Sequence, residues 1–162
     1  DKLRYARLLI LSGKTAEGLA IFAADQGKEK LTGLAAEEIE AQVFEQAGEL
    51  KEALERYRVL ANRHGQRAKL SQSRMAWIQA TSFDETLRQP ARAFELARRT
   101  LDSFASTSVA VPAYAYDVLA AAEANMGDFE QARKHIADAI IAAKRESNGK
   151  LLTETINRKK LY

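Results

Sequence analysis

The side chains best suited to chemistry in this chain are two histidines and one acidic cluster: His64, His135, Glu37, Glu38 and Glu40. A metal site needs three or four converging ligands, and a catalytic site needs paired titratable groups. The chain has no cysteine, no His-x-x-x-His pair and no glycine-rich phosphate loop. The acidic cluster suits the first turn of a helix, because the helix dipole favours negative charge there. His64 suits a helix end, where the dipole favours its partial positive charge. We therefore expect no enzymatic activity, no metal and no cofactor.

Composition points to a helical protein without a membrane span. Among 162 residues there are only two prolines and eight glycines, and 46% are hydrophobic, which favours helices and suffices for a core. No apolar run approaches the roughly 18 residues that cross a bilayer. The net charge of +3 is interspersed and forms no basic stripe for nucleic acid. Since the first residue is Asp1 rather than Met, we expect a longer parent chain, and the compartment stays open between cytoplasm and periplasm.

The clearest structural element is a pair of helical patterns that meet at Gly127-Asp128. On both sides apolar residues recur every three or four positions, which is typical of amphipathic helices. Gly127 can adopt the left-handed conformation that ends a helix. Asp128 can cap the next helix, with Gln131 as its capping-box partner. Small residues on the two helices, Ala120 and Ala132, would let the axes approach to roughly 8–10 Å. This stretch therefore predicts an antiparallel helical hairpin.

Similar breaks recur along the chain and predict four hairpins, at about 3–26, 33–64, 68–103 and 113–147, followed by a cap helix at 151–161. We expect this helix to cover the final hairpin with one face, formed by Leu151, Leu152, Thr155, Ile156 and Lys159. Prolines 90 and 112 suit the first turns of helices. Small residues occur early in the second helix of each hairpin, at intervals of 35, 40 and 39 residues: Gly18, Ala53, Ala93 and Ala132. Periods of this size in helical hairpins predict a stacked array.

This pattern resembles the tetratricopeptide repeat family, in a variant typical of bacteria. The second hairpin matches it at Ala41, Phe44, Gly48, Leu50, Ala53 and Tyr57. The fourth matches it at Leu119, Ala120, Gly127, Phe129, Ala132, Ile136 and Ala139. The third departs most, because Gln79 stands where a large apolar residue is usual, and we expect irregularity there. The resemblance implies an all-α fold, a right-handed solenoid of about four hairpins plus a C-terminal capping helix, as one array over residues 1–162.

The resemblance also implies a function, because members of the family bind proteins or peptides in a concave groove. Carrying over the groove positions gives Arg7, Ile10, Leu11, Glu38, Gln42, Glu45, Gln46, Ser73, Trp77, Tyr114, Asp117 and Asn125. The Lys and Asn with which some members clamp a C-terminal carboxylate are absent. Three acidic groove residues, Glu38, Glu45 and Asp117, favour a ligand of basic character. Trp77 is the strongest candidate anchor, although it could instead pack under residues 82–89.

Two functions from different classes follow from these features. The first is a protein–protein interaction module that binds a protein or peptide partner in its groove. The second is a structural segment that self-associates through its N-terminal end. A terminal repeat normally has a polar outer face, whereas the first helix carries Leu3, Tyr5, Leu8 and Leu9. These apolar residues make a homo-oligomer through that end possible.

Overall fold

The computed structural model describes residues 2–12, 14–25, 34–63, 65–107 and 110–162. Over these residues the chain forms helices and no strand, which confirms the all-α prediction. The helices are α1 Lys2–Leu11, α2 Thr15–Asp25, α3 Leu34–Ala47, α4 Leu50–Ala61, α5 Gln66–Thr81, α6 Pro90–Ala105, α7 Ala113–Asn125, α8 Phe129–Arg145 and α9 Gly149–Lys159. They belong to two compact units, Asp1–Ala68 and Lys69–Tyr162. None of these helices is both long and apolar enough to cross a bilayer.

In the first unit, α1 packs on α2 and on α3, and α3 packs on α4. Ala6, Ile10 and Val43 form the buried cluster between α1 and α3. A methyl group on Gly18 would lie 2.5 Å from Ile10 Cγ1 and 2.6 Å from the Ala6 carbonyl oxygen. Glycine is therefore required at this position, where the repeat pattern usually has alanine. Ile10, expected in the groove, is instead buried in this core.

In the second unit, α6 packs on α7, α7 on α8, and α8 on α9. Helix α5 joins them through small buried residues: one cluster contains Ala80, Ala93, Ala121 and Ala122. A second cluster adds larger side chains from α7 at the same interface, and Trp77 packs against both clusters. Because alanine has almost no side chain, these helices can approach closely.

The connection between α5 and α6 is irregular, but several hydrogen bonds hold it in place. The Ser82 hydroxyl accepts a hydrogen bond from the Asp84 N–H at 3.1 Å, and Asp84 Oδ1 accepts from the Thr86 N–H at 2.9 Å. The Gln89 N–H donates to the Gln79 carbonyl oxygen at 2.9 Å. The Gln79 side chain is itself buried, and its Oε1 has no hydrogen-bond partner in the described part of the chain. A polar group thus occupies the position where the repeat pattern expects an apolar one.

The α7–α8 hairpin confirms the left-handed glycine and the Asp128 cap that we predicted. It does not show the reciprocal capping-box bond, because the Asp128 N–H donates to the Glu123 carbonyl oxygen at 3.0 Å. Gly127 has φ +86°, in the left-handed region. The Asp128 side chain accepts a hydrogen bond from the Gln131 N–H at 3.1 Å and so caps α8. Ala120 and Ala132 are fully buried. In α9, by contrast, Thr155 is fully buried while Ile156 and Lys159, which we expected on the same inward face, are exposed.

Two exposed glycines of the second unit provide a matched test of this turn. We expect Gly127→Ala to lower the free energy of unfolding by about 1–2 kcal/mol, because its φ is positive and an L-residue is strained there. Gly149→Ala should be neutral or raise it by up to about 1 kcal/mol, because Gly149 starts a helix without positive φ and has open space around it. Urea denaturation followed by circular dichroism measures both. Equal effects of the two substitutions on the free energy of unfolding would contradict the left-handed conformation of Gly127.

Candidate functional site

A cavity of about 380 Å³ opens within the second unit between α5, α7 and α9. Helix α5 lines it with Leu70, Ser73, Arg74 and Trp77, and α7 lines it with Tyr114, Asp117 and Val118. The other wall consists of Glu146, Asn148, Lys150, Leu151, Glu154 and Arg158. Spacings of three, four and seven residues put the α5 set and the α7 set each on one helix face. We call this site the α5–α7–α9 cavity, and its volume lies within the range of small-ligand pockets.

Four of the residues expected in the groove line this cavity together: Ser73, Trp77, Tyr114 and Asp117. Asn125 does not line it; its side-chain amide donates to the Ala80 carbonyl oxygen and ties the end of α7 to α5. The other expected residues belong to the first unit. The side chains of Arg7 and Leu11 lie outside the described residues, as does His64.

Helix α3 carries four more of the expected groove residues, Glu38, Gln42, Glu45 and Gln46, and the two carboxylates among them have partners inside the first unit. Glu45 Oε2 accepts a hydrogen bond from the Tyr57 hydroxyl at 2.6 Å. Glu38 Oε1 lies 3.5 Å from the side-chain amide nitrogen of Gln42. Gln46 is exposed at the end of the same helix. Hydrogen bonds within the protein therefore partly satisfy the Glu38 and Glu45 carboxylates.

The acidic cluster is likewise engaged in structural pairs. The Arg63 guanidinium donates to Glu37 Oε1 at 2.9 Å, and the Arg56 guanidinium lies 2.9 Å from Glu40 Oε1. Each pair links α3 to α4 or to the residues that follow it. Within the described residues, no three His, Asp or Glu side chains are placed to hold a metal ion.

The most constrained polar group of the cavity is the Asp117 carboxylate, which Arg158 binds with both arms of its guanidinium. Arg158 Nε donates to Oδ1 at 2.8 Å and Nη2 donates to Oδ2 at 2.5 Å. The same guanidinium lies 5.0 Å from the centre of the Trp77 ring, in cation–π contact. Burial raises the pKa of Asp117, and the hydrogen bond from Arg158 opposes that rise. Arg158 therefore joins α9 to α7 and α5.

The cavity is also lined by two residues whose hydroxyl groups have no hydrogen-bond partner among the described residues. Ser73 is 2% exposed, and its Oγ has no hydrogen-bond partner in the described part of the chain. The Tyr114 ring packs edge-on against Phe104, with ring centres 6.2 Å apart. Burial, with a contribution from Glu146, raises the pKa of Tyr114 to about 12. The Tyr114 hydroxyl thus keeps its proton across the physiological pH range and can act as a donor.

Glu146 has a structural task at the cavity edge. Its Oε1 accepts a hydrogen bond from the Ala113 N–H at 2.8 Å, at the first turn of α7. The Arg145 guanidinium lies 3.5 Å from the same oxygen and donates to the Val111 carbonyl oxygen at 2.6 Å. The carboxylate thus occupies an end where helix N–H groups have no helical partner.

His135, considered first as a possible catalytic residue, pairs with a carboxylate between α7 and α8. Its Nδ1 lies 2.7 Å from Glu123 Oε2. Glu123 is buried; burial raises its pKa, and the hydrogen bond with His135 opposes that rise. The pair lies on the packed interface of the hairpin and does not line the α5–α7–α9 cavity.

Sequence reasoning missed the cavity residues contributed by α9 and the turn before it, above all Lys150 and Arg158. The face assigned to the cap helix contained Leu151, Leu152, Thr155, Ile156 and Lys159, and it left out Lys150 and Arg158. The spacing of Leu151, Glu154 and Arg158 is the signal that could have revealed a polar inward face.

The ion pair of the cavity can be compared with an exposed pair in the same unit. We expect Asp117→Ala to lower the free energy of unfolding by about 3 kcal/mol, because Arg158 would lose its partner in a largely buried site. Glu130→Ala, which removes an exposed pair with Lys134, should change it by no more than about 0.5 kcal/mol. Urea denaturation of both variants measures the difference. Similar losses of unfolding free energy in the two variants would show that the buried pair contributes no more to stability than the exposed pair.

Comparison with protein-family models, with curated proteins and with solved structures found no match for this chain. Its function is therefore inferred from the repeat pattern and from the geometry of the α5–α7–α9 cavity.

Proposed function

We propose that this chain is a protein–protein interaction module built from tetratricopeptide-like hairpins, with the right-handed superhelical stacking that the resemblance implies. The periodic small residues support this proposal. Gly18, Ala53, Ala93 and Ala132 are all buried, although they come from four different predicted hairpins. A buried small residue permits the close helix contact that such a repeat requires.

The observation that carries the proposal is the convergence of four groove positions on one open cavity. Ser73, Trp77, Tyr114 and Asp117 come from two helices and line the same space. Two of them are aromatic, and aromatic side chains with a polar edge are the commonest anchors of protein interfaces. Trp77 is half-buried, so part of its ring stays accessible to a partner.

A peptide-display selection on the full chain tests this function. Peptides enriched from a random library are measured by fluorescence polarisation against the wild type, Trp77→Ala and Phe83→Ala. We expect Trp77→Ala to weaken binding at least about tenfold, equivalent to about 1.4 kcal/mol. Phe83, in the α5–α6 connection, is 99% exposed and lies outside the cavity, so Phe83→Ala should leave the affinity within about twofold.

Circular dichroism of each variant separates lost binding from lost folding, and Trp77→Phe provides a milder change if the alanine variant unfolds. A library that yields no binding peptide would contradict the proposed function. So would peptides that bind Trp77→Ala and the wild type equally well.

Self-association through α1 is a second candidate function, and the exposed apolar residues of that helix favour it. Tyr5 is 56% exposed and Leu8 is 61% exposed. Their spacing of three residues places them on one face of the helix. Leu9, which we had included in the same end face, is buried instead, and the Leu3 side chain lies outside the described residues.

Light scattering across a concentration series tests this second candidate. We expect the wild type to show a concentration-dependent dimer, and the double variant Tyr5→Glu, Leu8→Glu to be monomeric, because two charges would have to be buried at the contact. Val59→Glu is the matched control, since Val59 is 55% exposed on α4. A wild-type protein that stays monomeric at all concentrations would rule out self-association through α1.

A further inference from the structure

The polar groups around the α5–α7–α9 cavity divide into those with partners in the chain and those without. The acceptors are largely engaged. Both oxygens of Asp117 accept from Arg158, and Glu146 accepts from the Ala113 N–H. A ligand that offered hydrogen-bond donors would have to compete with these internal bonds.

The groups left without partners can all donate a hydrogen bond. The buried Ser73 hydroxyl has no partner among the described residues, and a buried hydroxyl left unpaired costs about 1–3 kcal/mol. Tyr114 and Lys150 also line the cavity, and neither the Tyr114 hydroxyl nor the Lys150 ammonium makes a hydrogen bond or ion pair within the described chain. Tyr114 retains its proton because burial raises its pKa to about 12. These three groups come from three different helices.

The start of α9 favours negative charge at the same place. Asn148 caps this helix by accepting from the Leu151 N–H at 3.1 Å, and both Asn148 and Lys150 line the cavity. The N–H groups of a first helical turn point outward and carry partial positive charge, so they attract anions. The unpartnered Ser73 hydroxyl is an independent indication that a ligand atom belongs here.

The charges around the cavity leave room for one negative group. Three cations and three carboxylates line it: Arg74, Lys150, Arg158, Asp117, Glu146 and Glu154. Arg145, which is outside the lining, lies 3.5 Å from Glu146. Asp117 and Glu146 thus each have a cation beside them, whereas the Lys150 ammonium has no ion-pair partner among the described residues. A ligand with a single negative charge would supply that partner.

We propose that the α5–α7–α9 cavity binds a ligand that carries one carboxylate on an apolar body. Lys150, Tyr114 and Ser73 provide the donors for the carboxylate, and Trp77 with its aliphatic neighbours contacts the apolar part. This proposal rests on the proposed function, since it specifies what that site recognises. It also replaces the basic ligand expected from Glu38, Glu45 and Asp117, because Arg158 already neutralises Asp117. The carboxylate can come from a partner peptide or from a free acid.

Trp77 is the only tryptophan of the chain, so its fluorescence reports on the cavity directly. The full chain is titrated with phenylbutanoate and with the matched neutral compound, phenylbutanamide. We expect a saturable fluorescence change with the acid and at least tenfold weaker binding of the amide. If neither compound binds at millimolar concentrations, or if both bind equally, the carboxylate proposal is overturned.

Three substitutions locate the site within the cavity. Lys150→Met, Tyr114→Phe and Ser73→Ala should each weaken phenylbutanoate binding at least fivefold. Ser73→Ala should also leave the melting temperature of the ligand-free protein unchanged or higher, because it removes an unpaired buried hydroxyl. Lys159→Met is the matched control: Lys159 is exposed on the same helix and does not line the cavity, so binding should be unchanged. An equal loss in Lys159→Met would indicate a general charge effect and contradict the site.

The display-selected peptides distinguish the two sources of the carboxylate. Each peptide is remade with an amidated C-terminus, and separately with Asn and Gln in place of Asp and Glu. Loss of binding in either series identifies the peptide as the source. Peptides that depend on Trp77 but tolerate both changes would overturn the carboxylate proposal and leave the interaction function intact. Binding of phenylbutanoate without any selected peptide would support a free acid and contradict the peptide-binding function.

Discussion

The close packing of helices through residues with little or no side chain is the constraint on which the other features of this protein depend. Gly18 has no room for a methyl group, since one would lie 2.5 Å from Ile10 Cγ1. Ala93, Ala120 and Ala132 are fully buried at helix contacts. A larger side chain at such a position must push the helices apart, which typically costs about 1–3 kcal/mol. The helix spacing in each unit is thus set by the absence of larger side chains at these positions.

This spacing determines what the second unit can hold. Alanine contacts bring α5 against α7 at one end, and the larger side chains Leu70, Trp77, Tyr114 and Val118 keep an open space along the same helices. Helix α9 closes one side through Leu151 and Leu152, which pack on the buried alanines of α7 and α8. The cavity therefore follows from an uneven distribution of small and large residues along one interface.

Electrostatics then gives the cavity its chemical character. Asp117 is the most buried charged residue in the described part of the chain, and Arg158 neutralises it. The Arg158 guanidinium also covers part of Trp77. The Lys150 ammonium and the hydroxyls of Ser73 and Tyr114 have no such internal partner in the described residues. A low-dielectric site strengthens every hydrogen bond that a ligand makes there, and it also makes unpaired groups costly. The same property thus underlies both the proposed interaction function and the proposed preference for a carboxylate.

The local features of this protein could be predicted from its sequence because they depend on neighbouring residues. Helix periodicity, the left-handed Gly127, the Asp128 cap and the buried small residues each involve a few positions within one or two turns. The resemblance to a known repeat family, rather than these local patterns, placed Ser73, Trp77, Tyr114 and Asp117 in a common candidate set.

Only the tertiary structure decided which of those residues meet and what they meet. Asp117 and Arg158 are separated by 41 residues, and their pairing depends on which face α9 presents to α7. The inward face that we expected for α9 included Ile156 and Lys159, both of which are exposed. An error of one or two positions in a helix face alters every contact that the helix makes, because successive residues are rotated by about 100°. Helix formation is determined by short-range patterns, whereas the polar chemistry of the cavity is determined by the packing of helices that are distant in sequence.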